Sequence, residues 1–174
     1  MKSFRSYLKE SLTISADDGC FIKLTPTART IKNIVEFFGE VLEQKDLHCT
    51  LIFTENKLDS KTLPTIPKSS DKVYVASPDK LEVFGGKDLV LTLKDCPEIF
   101  ALQEKLVKAL TGSESGGIDA YQKSLGFKFP EYRPHMTIRS TPVSDAVIKQ
   151  LNLNLPFLER TPLEFYFDGI NPNA

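Results

Sequence analysis

The sequence predicts an α+β fold of two similar lobes with antiparallel sheets, on three observations. Strand-like and helix-like stretches follow one another as β-α-β, β-β-β-α and β-α-β, unlike the regular alternation of a parallel, Rossmann-type sheet. A helical stretch precedes each of two strands that begin with His, at His48 and His135, so the same unit reads twice. The 174 residues are 41% hydrophobic and 26% charged, with 12 Phe and 5 Tyr, enough for one domain with a real core. That domain is placed at residues 16–174, behind a basic and aromatic N-terminal extension, residues 1–15.

In the extension, Phe4, Tyr7, Leu8 and Leu12 stand near helical spacing, and a turn at Ala16–Gly19 follows. Cys20–Leu24 then reads as a strand. Thr25-Pro26-Thr27 offers a helix start, and Ile31, Ile34, Val35, Phe38 and Leu42 recur at helical spacing. Leu47–Thr54 is rich in β-formers. Residues 55–71 carry loop chemistry, after which Lys72–Ala76, Lys80–Phe84 and Asp88–Leu93 read as short strands, with Gly85-Gly86 turning the last two into a hairpin. Cys96-Pro97 opens a second helix bearing Ile99, Leu102, Leu106 and Leu110. Loop and irregular chain over 111–133 leads to the strand Pro134–Ser140, a short helix at Ser144–Leu151 and a last strand at Leu163–Phe167.

Several classes are disfavoured. Lys plus Arg number 22 against 23 Asp plus Glu, a net charge of −1, which argues against a protein that coats long nucleic acid. No apolar run is long enough to span a bilayer, and the first ten residues lack the apolar core of a secretion signal, so a cytoplasmic protein without membrane partners is expected. Cys20, Cys49 and Cys96 are isolated and read as buried thiols; without a CxxC pair, neither zinc site nor disulfide framework is indicated.

The chain has two His, and both begin the same pattern: His48-Cys49-Thr50-Leu51 and His135-Met136-Thr137-Ile138. Chance would place Thr after both with odds of about one in two hundred. On a strand, period-two alternation puts His48 and Thr50 on one face, with Ile52 next along it and Cys49, Leu51 and Phe53 opposite. Likewise His135, Thr137 and Arg139 share a face, against Met136 and Ile138. Two such strands facing one another make a cradle of two imidazoles and two hydroxyls. Imidazoles exchange protons near neutral pH, and hydroxyls can donate to phosphate oxygens, which suits phosphodiester cleavage by an internal 2′-hydroxyl. The plainer alternative is two strand His satisfied by backbone, with Thr present as a β-former.

These paired tetrads resemble the motifs of the 2H phosphoesterase superfamily, which includes 2′-5′ RNA ligase-like proteins and cyclic phosphodiesterases. The resemblance implies two pseudo-symmetric lobes around a central cleft, a motif on a central strand of each, and catalysis without metal or other cofactor. Phe21-Ile22-Lys23-Leu24, Leu47–Phe53, Asp88–Glu98 and Tyr132–Ile138 are similar to the bacteriophage anti-CBASS phosphodiesterases, enzymes that destroy cyclic di- and trinucleotide alarms of the host. It spans residues 19–170 and implies a cyclic oligonucleotide as substrate, His48 and His135 as base and acid in an order left open, and Thr50 and Thr137 as oxyanion donors.

In such enzymes an aromatic platform, often Trp, is expected against a base, and this chain has no Trp. Tyr74, Phe84 or Tyr132 must then serve, unless all three are core residues. Lys23, Lys72 and Arg139 are candidates to neutralise phosphate, and Glu164 to orient a His or a ribose; isolated surface charge is the alternative for each. Rival functions are an RNA-processing 2′,3′-cyclic phosphodiesterase and a sponge that binds the cyclic nucleotide without cutting it.

Overall fold

The computed structural model describes residues 20–54, 69–111 and 131–169; the extension at 1–15 and most of the two loop stretches lie outside them. The first strand, β1 (Cys20–Pro26), passes into α1 (Ala28–Phe38) through Thr27, whose hydroxyl accepts from the Thr30 N–H at 3.2 Å and caps the helix. The helix stops at Phe38, short of the Leu42 its periodicity suggested. Gly39 takes φ 51°, a left-handed conformation that glycine tolerates, and a 3-10 turn over Gly39–Val41 follows.

The remaining elements are β2 (Cys49–Thr54), β3 (Ser69–Phe84), β4 (Asp88–Lys94), α2 (Pro97–Thr111), β5 (His135–Arg139), α3 (Asp145–Glu159) and β6 (Leu163–Phe167). Two of them depart from expectation. The chain stays extended through Ser77-Pro78-Asp79, so β3 is one strand where two were expected, and an irregularity in its pairing with β4 between Pro78 and Leu81 accommodates the proline. Helix α3 runs past Leu151 to Glu159 with Pro156 inside it. Pro156 cannot donate to the Asn152 carbonyl, yet Leu155 and Leu158 are buried, each contributing about 1.5–3 kcal/mol. The Asn152 carboxamide also clamps β3, accepting from the Leu81 N–H at 2.8 Å and donating to its carbonyl at 3.1 Å. The hairpin turn is as expected: Gly85 and Gly86 have φ 59° and 77°, and the Lys87 N–H closes on the Phe84 carbonyl at 3.2 Å.

All the strand pairs are antiparallel, and the strands close into a ring in the order β1-β2-β5-β4-β3-β6. The fold is therefore α+β with an antiparallel sheet. Strand β3 is long enough to serve two neighbours, pairing β6 through its first half and β4 through its second. One face of the ring is apolar: Leu24, Cys49, Leu91, Met136 and Phe165 are fully buried, in one cluster with Ile34 of α1, Ile99 of α2 and Leu158 of α3. The helices thus pack on that face. Among the described residues no helix is long and apolar enough to cross a membrane.

Candidate active site

Cys49 of β2 pairs with Met136 of β5. Continuing this antiparallel register one residue each way sets His48 opposite Thr137 and Thr50 opposite His135. Cys49 and Met136 point into the core, so alternation turns all four flanking side chains to the other face, where each is half-buried. Two motifs distant in sequence thereby form one square of two imidazoles and two hydroxyls. The strands lie side by side rather than face to face.

Each motif ends in a β-bulge. Opposite β1, Ile22 pairs Ile52 and Lys23 pairs Thr50, so Leu51 is the extra residue; opposite β4, Leu89 pairs Arg139 and Val90 pairs Thr137, so Ile138 is. A bulge resets the alternation, and this corrects two expectations. Ile52 does not follow Thr50 on the reactive face but is buried beside Ile22. Arg139 does not follow Thr137 but shares the side of Leu89, its Nε donating to Thr141 Oγ1 at 2.6 Å and lying 3.4 Å from the Glu43 carboxylate. The Ile138 carbonyl, freed by the bulge, accepts from the N–H groups of Glu43 and Gln44 at 3.1 Å each. Phe53's side chain lies outside the described residues.

The two imidazoles are held alike. His48 Nδ1 lies 2.8 Å from the Asp46 carbonyl and His135 Nδ1 lies 2.7 Å from the Arg133 carbonyl, each two residues back along the chain. A carbonyl only accepts, so the proton sits on Nδ1 and Nε2 is the basic nitrogen of both rings. Burial pulls both pKa values below the ordinary imidazole value. At His48 desolvation leads, opposed by the Asp46 carbonyl and carboxylate and reinforced by Lys23 and His135. At His135 desolvation leads again, opposed by the Arg133 carbonyl and reinforced by its guanidinium. The rings are close enough for one to feel the other's charge. Between His48 and Thr50, burial pushes the Cys49 thiol up to about 12, so it stays protonated and unreactive. Cys96 is also buried; the Cys20 side chain lies outside the described residues.

The other expected residues divide. Lys23 stands opposite Thr50 with its Nζ 2.7 Å from Asp46 Oδ2, at the edge of the square. Phe84 also reaches it: its ring lies 4.9 Å from that of His135, with the Arg133 guanidinium 5.0 Å over it. Arg133 is held in turn by Glu82, whose carboxyl is kept below its usual range by its bond to Lys80 and then by Arg133. Tyr132 lies beneath the site, its hydroxyl donating to the Thr50 carbonyl at 3.0 Å and its ring edge-on to Phe100. Tyr74 is a core residue, 5% exposed, and offers no open ring to a base. Lys72 sits over that ring and pairs with Glu98, away from the square. Glu164 is on β6, two strands from β2, where its backbone N–H and carbonyl meet the start of α1 at Thr30 and Thr27.

Four residues on or behind this face escaped sequence reasoning. Asp46 and Arg133 stand at the same offset before each His, a regularity legible in the sequence but lying outside the tetrads. Tyr166 pairs Thr25, and Val75 pairs Glu164, which puts both on the side of the sheet that carries Lys23 and Thr50; they are 38% and 43% exposed. Among the described residues no three His, Cys, Asp or Glu side chains cluster as a metal ion requires. No protein-family model matches the chain, and no curated protein matches it.

Proposed function

We propose that this chain is a metal-independent phosphodiesterase of the 2H type that opens 3′-5′ bonds in cyclic di- or trinucleotides. The Cys49–Met136 pairing carries this reading, because it gathers two imidazoles and two hydroxyls, each imidazole with Nε2 as its basic nitrogen. One imidazole takes the proton of a ribose 2′-hydroxyl. The oxygen bonds to the adjacent phosphorus, the bond to the 5′ oxygen breaks with its electron pair, and the other imidazole protonates that oxygen. Thr50 and Thr137 donate to the non-bridging oxygens as charge develops. The product is a 2′,3′-cyclic phosphate, open to hydrolysis with the two roles exchanged. The matching bulges support the finer expectation of two pseudo-symmetric halves around a cleft. The resemblance to anti-CBASS enzymes supports the setting, a phage removing its host's alarm nucleotide.

The test is the sugar. Intramolecular attack gains from positioning that a water molecule lacks. In buffer with EDTA, a cyclic diribonucleotide is expected to open to a terminal 2′,3′-cyclic phosphate by mass spectrometry, and its 2′-deoxy counterpart to bind uncut. Equal cleavage of both would mean attack by water, and activity restored only by a divalent metal would overturn the mechanism. Opening of 2′,3′-cyclic ends on RNA alone would favour the RNA-processing reading, and binding without cleavage the sponge.

A further inference from the structure

The two imidazoles share one local construction, but the residues two places before them carry opposite charges, Asp46 paired with Lys23 and Arg133 with Glu82. Two residues before His48 stands Asp46, whose Oδ2 lies 3.7 Å from His48 Nδ1, on the ring edge away from Nε2. Burial, Lys23 on β1 and His135 on β5 act against an imidazolium at His48, and the Asp46 carbonyl and carboxylate act for it. Two residues before His135 stands Arg133, whose guanidinium covers Phe84, the ring that His135 touches. Glu82 and Lys80 of β3 flank that guanidinium, and its charge still acts against an imidazolium at His135.

On the reading that the chain opens cyclic oligonucleotides, we propose that the imidazoles have different duties: His48, backed by Asp46, gives its Nε2 proton to the departing 5′ oxygen, and His135, backed by Arg133, takes the proton of the 2′-hydroxyl. The donor must begin as imidazolium, which a carboxylate favours; the acceptor must begin neutral, which a guanidinium favours. In the step, the 2′-oxygen bonds to phosphorus while its proton passes to His135 Nε2. The bond from phosphorus to the 5′ oxygen breaks, and its electron pair takes the His48 proton. His48 ends neutral and His135 protonated, so hydrolysis of the cyclic phosphate with roles reversed restores both. Asp46 and Arg133 are positioning residues that set the order.

Sulfur in place of the bridging 5′ oxygen decides between the roles, because a thiolate leaves without a proton. His48→Asn and His135→Asn both keep an amide near the place of Nδ1 and lose Nε2. On the all-oxygen cyclic diribonucleotide each falls roughly 10²–10⁴-fold. On the ring with one 5′-sulfur linkage, His48→Asn is expected to return to within about tenfold of the unsubstituted protein, while His135→Asn stays depressed. Recovery of His135→Asn instead, of both or of neither, overturns the assignment and leaves the phosphodiesterase reading standing. Failure of the unsubstituted protein to open the all-oxygen ring overturns that reading itself. A second measurement isolates Asp46, which is exposed and replaceable. Asp46→Asn is expected to lower kcat/KM roughly fivefold at neutral pH, the scale of a solvated charge pair, and to lose progressively less as falling pH itself protonates His48. Asp46→Glu restores the neutral-pH rate. A loss equal at every pH would make Asp46 merely structural and overturn its part.

Discussion

Tyr132→Phe removes one oxygen atom from beneath the square. That hydroxyl donates to the Thr50 carbonyl at 3.0 Å and lies 3.9 Å from Cys49 Sγ. The ring contact to Phe100, 5.5 Å between centroids, survives the change. A hydrogen bond of this kind has a net worth of about 0.5–1.5 kcal/mol, and a buried carbonyl left short of a donor costs about 1–3 kcal/mol. The phenol's own desolvation, which keeps its pKa well above the usual value, is relieved in the variant and offsets part of this. The expected loss is therefore about 2 kcal/mol. For a chain of this size, 1 kcal/mol moves Tm by about 2–4 °C, so a fall of about 4–8 °C is expected. Urea unfolding followed by circular dichroism should show a lower midpoint at unchanged slope. Tyr132→Leu should lose more, because the edge-on ring pair adds about 0.5–1.5 kcal/mol. A Phe variant as stable as the unsubstituted protein would refute the claim that this hydroxyl ties β2 in place. Turnover should fall only severalfold, since the Thr50 hydroxyl and both imidazoles remain.

His48→Ala and His135→Ala should each lower turnover by roughly 10²–10⁴-fold or more, measured with the fold verified by circular dichroism. Thr50→Ala and Thr137→Ala should cost less, on the order of 10–10³-fold, as losses of transition-state donors. Stability should fall as pH drops below the ordinary imidazole range. Burial holds both His below their unfolded pKa values, so the unfolded chain binds more protons there and is favoured. Melting curves from pH 8 to pH 5 should show this decline, and a His48→Asn, His135→Asn double variant should flatten it; an unchanged slope would count against burial as the cause.

The tetrads were legible because alternation is a local rule: knowing that Cys49 and Met136 are apolar is enough to turn His and Thr the other way. What followed each tetrad was not legible, since a bulge is a matter of pairing. Whether Leu51 has a partner on β1 depends on where Ile22 and Lys23 fall, and nothing within β2 records it. Arg139 was misplaced for that reason. Tyr74 and Tyr132 read alike as candidate platforms, and only burial separates a core ring from a tie to a carbonyl. At Pro78 and Pro156, local rules called for breaks; the Asn152 clamp on Leu81 and the burial of Leu155 and Leu158 outweighed them. The ring closure rests on β3 reaching both β4 and β6, a long-range outcome that no segment of chain announces by itself.

The twin bulges have a consequence for how such a protein changes over time or in the laboratory. Because Leu51 and Ile138 end the outward run directly after each threonine, each His-x-Thr motif presents two polar side chains to that face and no more. On the proposed function, selectivity among nucleobases would then be written on neighbouring strands, at positions such as Val75 and Tyr166 that share the face. Chemistry and taste are thus stored in separate stretches of the chain. If the proposed function holds, a library varied at the second set can drift from one cyclic nucleotide to another while the first stays fixed.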